Sequence, residues 1–134
     1  MAEKIRVLLV EPGEAPRLVT VEHTLENLQA LAGGYIQAVY PWDDPVGLIC
    51  DEDGIANGKP LNRALLDEEG NPYDIIKGTF FICGLGEEDF ASISDGMAEK
   101  YTERFRWPEM FTRTLDGHVV WIRLEPGAKP KIIC

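Results

Sequence analysis

The sequence predicts an α+β fold: one mostly antiparallel sheet of five to six strands with two helices packed on it. Three observations predict it. Short apolar runs rich in Val, Ile, Leu and Phe recur along the chain, bounded by Gly, Pro, Asp or Asn. Two segments, 25–32 and 95–106, carry apolar residues at helical spacing. The connections between the runs are short, as between antiparallel neighbours.

Residues 4–10 open the chain with Ile5, Val7 and Leu9 on one face and Leu8 and Val10 on the other. A strand so apolar on both sides is expected to be covered on both. Glu11-Pro12-Gly13-Glu14 supplies a turn, and residues 17–22 return as the second strand of a hairpin. Thr24 has the side chain of a helix N-cap. Leu25, Leu28, Leu31 and Ala32 then form the stripe of a short helix, and Gly33-Gly34 stops it. The third strand covers 35–40. Pro41-Trp42-Asp43-Asp44-Pro45 leads tightly into the fourth, 46–50, which falls into the acidic turn Asp51-Glu52-Asp53-Gly54.

A polar loop from Asn57 to Arg63 follows, and 62–66 reads as a helical turn or an irregular segment. After a turn at 67–72, the most apolar run of the chain, 75–83, predicts a central fifth strand closed by Gly84-Leu85-Gly86. Ser94 caps the second helix, 95–106. Met97, Tyr101 and Phe105 share one face of it, and Lys100, Arg104 and Arg106 gather at the end the macrodipole favours. Trp107-Pro108 ends that helix. Residues 118–124 form the sixth strand, and 131–134 a short edge strand with Cys134 exposed at the terminus.

With 134 residues, the chain is read as a single domain, 1–134, with enough core to need no covalent staples. No apolar run approaches the ~20 residues of a membrane span. The N-terminus lacks the pattern of a signal peptide, so cytoplasmic residence is expected. Cys50 and Cys83 fall in predicted strands as small buried residues. An odd cysteine count without close spacing predicts neither a disulfide framework nor a zinc site.

The net charge of −10 is unevenly spread. Residues 43–99 hold fourteen acids and three bases, whereas 100–134 hold four acids and seven bases. The acidic part should repel nucleic acid, so no direct nucleic-acid partner is expected. Such a charge run is read first as a solvated face and second as a surface for a basic partner.

No catalytic set is recognisable. His23 and His118 have no partner in sequence, and Ser92 and Ser94 sit in no nucleophile elbow. Asp51, Asp53 and Gly54 begin like a calcium loop, but its twelfth position is Asn62 and its interior spacing is broken at Ala56 and Asn57. Gly84-Leu85-Gly86 is followed by Glu87, Glu88 and Asp89, which would repel a phosphate. No metal and no cofactor are expected. The binding candidate is the 57–63 loop: Asn57 and Asn62 offer donors and acceptors, Lys59 a point charge, and Arg63 a planar fork for an anion. Trp42 and Tyr73 are candidates to wall the same pocket by stacking on a ring.

Several stretches resemble one family. Arg6-Val7-Leu8-Leu9-Val10-Glu11-Pro12-Gly13, the Leu-rich helix with Gly33-Gly34-Tyr35-Ile36, the turn ending at Gly54, Pro60-Leu61-Asn62-Arg63, the run 75–82 and Phe90-Ala91-Ser92-Ile93 are similar in order and spacing to small proteins of phages, plasmids and conjugative elements. That family is known as a domain of unknown function. The resemblance covers 4–111 and leaves 112–134 as a C-terminal extension. Asp51 and Ile55-Ala56 depart from it, where the family pattern has an Asn and a Lys-containing stretch. The resemblance implies an accessory role on a mobile element, beside counter-defence genes, and supplies no catalytic residues.

Together these readings lead to a non-enzymatic accessory protein that counters a host defence. Its expected ligand is a small, anionic, nucleotide-like signal held by Asn57, Lys59, Asn62 and Arg63. The alternative is an acidic decoy or DNA mimic for a basic host protein; a third reading is an enzyme of unknown class. A homodimer through a late edge strand is also expected.

Overall fold

The structure is a computed structural model, and it describes residues 3–54 and 57–133. The expectations for Ile55, Ala56 and Cys134 lie outside the described residues. The elements follow in chain order: β1 (Lys4–Val10), β2 (Arg17–Glu22), α1 (Leu25–Ala32), β3 (Ile36–Val39), β4 (Val46–Asp51), β5 (Leu61–Leu66) and β6 (Pro72–Lys77). They continue with β7 (Phe80–Leu85), β8 (Phe90–Ala91), α2 (Asp95–Arg104), β9 (Glu109–Arg113), β10 (Val119–Arg123) and β11 (Lys131–Ile133).

The fold is α+β, as the sequence predicts. Its main sheet has six strands in the order β2-β1-β7-β4-β3, with β8 also paired to β7. Every pairing in it is antiparallel. Thr24 caps α1 by accepting from the Asn27 amide at 3.1 Å, and Ser94 caps α2 through the Met97 amide at 3.2 Å. The first helix ends at Gly33 in the left-handed conformation, φ 84°.

The alternation in β1 builds the core. Ile5, Val7 and Leu9 join Phe81, Ile49 and α1's Leu28 and Ala32 on one side of the sheet. Leu8 and Val10 join Phe80, Ile82, Leu48 and α2's Tyr101 and Phe105 on the other. The two helices therefore cover opposite faces. Leu65 and Ile76 belong to the α2-side cluster too, so the β5–β6 hairpin shares the task of covering that face.

Three expectations are corrected. Residues 62–66 are not a helical turn but most of β5, which pairs with β6. The run 75–83 is not one strand: it breaks at Gly78, whose φ of 76° turns the chain out of β6 and into β7 in the main sheet. The strands also do not all join one sheet. β9, β10 and β11 form a second sheet in the order β11-β10-β9, and β5 and β6 a third. The expected sixth strand is β10, and the expected short edge strand is β11.

Candidate functional site

Asp51 ends β4, and its side chain keeps 1% of its surface in solvent. Its carboxylate accepts from Lys59 Nζ at 2.8 Å, from Asn57 Nδ2 at 2.9 Å and from the Asp53 amide at 2.9 Å. The bond from Lys59 is the main force holding this carboxyl below its ordinary range, against the opposing effect of burial. Lys59 Nζ also donates to the carbonyls of Gly33 at 2.8 Å and Ala32 at 3.2 Å. Those carbonyls end α1, whose last turn carries no base of its own. One lysine thus ties the end of a strand to the end of a helix. Gly34 lies so close that a Cβ there would stand 2.7 Å from Asp51 Oδ1.

Beside this tie lies a cleft of about 600 Å³, lined by Glu26, Gln29 and Ala30 of α1, by Gly33, Gly34 and Tyr35, and by Asp53 and Asn57. That volume suits a small molecule. Tyr35 is 70% exposed. Asn57 has its amide nitrogen engaged with Asp51, which leaves Oδ1 as an acceptor, and ionised Glu26 and Asp53 can only accept. A narrower groove of about 170 Å³ between β4 and β6 touches Cys50, Asp51 and Asp74.

The six residues singled out in sequence do not converge on one site. Asn57 lines the cleft, whereas Lys59 does not line it and reaches it only through its bond to the Gly33 carbonyl. Asn62 and Arg63 are not loop residues; both are buried within β5. Asn62 donates to the carbonyls of Val10 at 3.0 Å and Gly78 at 2.8 Å. The Arg63 guanidinium, 0% exposed, donates to Phe105 O, Glu14 O and Asn62 Oδ1 at 2.9, 2.6 and 2.8 Å. It faces Glu109 at 3.7 Å. Glu109 in turn accepts from the Ala64 amide at 2.8 Å and from Trp121 Nε1 at 2.5 Å, while burial pushes its carboxyl up. This network fastens β5 to the end of α2 and to the second sheet, and leaves Arg63 no face toward a ligand.

Trp42 lies on the α2 side, 4.5 Å from the Tyr101 ring, with the Arg104 guanidinium 5.4 Å above it. Tyr101 and Lys100 both donate to Asp44, at 2.6 and 2.5 Å, an anchor the sequence did not single out. Tyr73 stands exposed on β6. The Cys50 and Cys83 thiols point at the backbone carbonyls of Gln37 and Gly47, and burial pushes Cys83 up to about 12. His23 and His118 lie near Asp89 and Asp116, at 3.4 and 3.5 Å.

The cleft residues Tyr35, Glu26 and Gln29 carry little signal in sequence. Tyr35 reads there as an ordinary strand residue, and only Gly33-Gly34 hints that something packs closely at the helix end.

Comparison with known families settles what the chain is related to. The profile of the domain of unknown function DUF3846 matches residues 5–106. The chain belongs to this family. The matched part holds the main sheet, both helices and the β5–β6 hairpin, so the DUF3846 part contains both the cleft and Arg63, whereas Glu109 and Trp121 lie beyond it. No curated protein and no solved structure matches the chain. Among the described residues, no helix is long and apolar enough to cross a membrane.

Proposed function

We propose that this DUF3846 protein is a non-enzymatic, cytoplasmic accessory protein of a phage or mobile element, and that it counters a host defence by binding a small nucleotide-like signal in the cleft beside α1. One observation carries the ligand class: among the described residues, the polar side-chain atoms without a partner around the exposed Tyr35 are mainly acceptors, with the Gln29 amide able to serve either way. Asn57 Oδ1, the Asp53 carboxylate and the Glu26 carboxylate seek a partner rich in N–H groups, and Tyr35 offers a face for stacking. An amino-bearing heterocycle meets both demands. The signal is held by its base, and its phosphates lie away from the cleft, where Glu26 and Asp53 do not repel them. Arg63 and Lys59, engaged as they are, take no part in holding an anion.

The acids of 43–99 fall at several places along the chain: Asp43 and Asp44 between β3 and β4, Asp51 at the end of β4 with Glu52 and Asp53 after it, residues 67–69 between β5 and β6, Asp74 on β6, residues 87–89 between β7 and β8, and Asp95 and Glu99 on α2. A line of carboxylates at phosphate-like intervals would favour the decoy reading; grouping at turns favours the small-ligand reading over it. The phage or mobile-element origin and the counter-defence role are supported by the resemblance alone.

Native mass spectrometry of protein purified from a host with its defence signalling active tests this function. A retained mass that matches a nucleotide or nucleoside is the expected result. A bare mass, together with no thermal shift across a nucleotide panel, would overturn it.

A further inference from the structure

We propose that β3 pairs edge to edge with β3 of a second copy, joining the two main sheets across a two-fold axis at Ala38. Among the described residues, β3 ends the main sheet and has a neighbour, β4, on one side only. The direction of its backbone groups follows from two observations. The Glu52 amide donates to the Tyr35 carbonyl at 2.7 Å, and the register continues with Gln37 opposite Cys50 and Val39 opposite Leu48. In an antiparallel pair, alternate residues turn both backbone groups to the same neighbour. Tyr35, Gln37 and Val39 therefore serve β4, while Ile36, Ala38 and, by continuation, Tyr40 aim their N–H and C=O groups outward.

Natural sheets guard such edges with charge. The opposite edge, β2, carries Arg17 and Glu22. Residues 35–42 carry no charge, and Tyr35 and Tyr40, at the two ends of β3, are 70% and 59% exposed.

The occupant is a second copy because the strand complements itself in the register its backbone allows. A two-fold axis normal to the sheet keeps each side chain on its own face, so only residues of equal parity can stand opposite each other. With Ala38 opposite Ala38, Ile36 meets Tyr40 of the second copy, and Tyr40 meets its Ile36. These three pairs join the outward-facing backbone groups. Ile36 and Ala38 pack on the α1 side of the sheet, and the Tyr40 ring lies against Gly47 on that same side. The interface thus places a β-branched–aromatic pair on either side of its axis, a combination that stabilises adjacent strands. Each copy carries a charge of −10, so the copies repel, and added salt should strengthen the dimer by screening. The proposal is independent of the ligand reading.

The test is backbone amide hydrogen exchange with sedimentation, in dilute and concentrated protein at low and high salt. In dilute protein the Gln37 and Val39 amides should be protected, and those of Ile36, Ala38 and Tyr40 should exchange fast. At high concentration the second set should become protected as a dimer sediments, more so at high salt. Ala38→Pro removes an outward N–H that β4 does not use, and Tyr40→Lys places charge at the seam. Either should abolish both the dimer and the concentration-dependent protection. A monomer under all conditions, or a dimer whose Ile36 and Ala38 amides still exchange fast, overturns the proposal. Should Ala38→Pro fail to fold, Tyr40→Lys decides: a dimer that survives it overturns the proposal.

Discussion

Arg63 shows how far a residue's place can depart from its neighbourhood in sequence. It follows Pro60-Leu61-Asn62 in a polar stretch, yet its guanidinium is sealed among the Phe105 and Glu14 carbonyls, Asn62 and Glu109. Truncation to Ala would strand a buried carboxylate and several carbonyls. Removing one partner of a buried pair costs about 3–5 kcal/mol. Arg63→Ala should therefore lower Tm by roughly 10 °C or more in thermal denaturation. Arg63→Lys should recover only part of this, because a lysine cannot reach three directions in one plane. Asp51 gives a prediction of another kind. Its carboxyl is depressed in the folded state, first by Lys59 and then by Asn57 and the Asp53 amide. A depressed acid contributes stability that is full above its unfolded pKa of about 3.9 and is lost as pH falls through the folded value. Urea unfolding of Asp51→Asn should accordingly show a lower plateau near neutral pH and a flatter acid limb, the two proteins converging toward low pH. Parallel curves for the two proteins would contradict this.

At the scale of elements, the sequence was legible where periodicity and caps agree. β1, β2, β4, α1 and α2 stand within a residue or two of their predicted places, because Thr24, Ser94 and Gly33 punctuate regular apolar patterns. It failed where tertiary packing assigns the partner. Nothing local separates 75–83 into two strands except Gly78, which an apolar run on both sides conceals. Nothing in Asn62-Arg63-Ala64 signals a buried strand, because the carbonyls and the carboxylate that satisfy it come from Val10, Phe105 and Glu109. The candidate site suffered in the same way: the cleft joins α1 to Asp53 and Asn57, and the tie beside it joins Asp51, Lys59 and the end of α1, which only the fold brings together. The second sheet follows this logic. Although β9, β10 and β11 lie beyond the DUF3846 match, Glu109 supplies the buried partner of Arg63 and an acceptor for the Ala64 amide. A chain ending at Arg106 keeps the whole matched part but loses that carboxylate. Its unfolding free energy should fall by about 3–5 kcal/mol, the cost of breaking a buried pair. Chemical denaturation with unchanged stability would show instead that the second sheet is an appendage.

For the whole molecule, the charge is the property the sequence states most plainly, and the fold distributes it. The bases that would draw an anion into the 57–63 region are turned inward as structural ties, Lys59 to Asp51 and α1, Arg63 to Glu109. What faces solvent at that end is a cleft of carboxylates and amides beside a bare tyrosine ring. On the proposed reading, such an arrangement would take a nucleotide-like signal by its base and not by its phosphates. Nuclear magnetic resonance titration of the labelled protein with nucleosides, nucleotides and inorganic phosphate measures this directly. Base-bearing ligands, with or without phosphate, should shift the amides of Gln29, Tyr35 and Asn57. Phosphate alone should leave them in place, and Tyr35→Ala should abolish the response while the rest of the spectrum stays native. A response to phosphate alone, or shifts gathered around Trp42 and Arg104 with the α1 cleft silent, would contradict the assignment of the site.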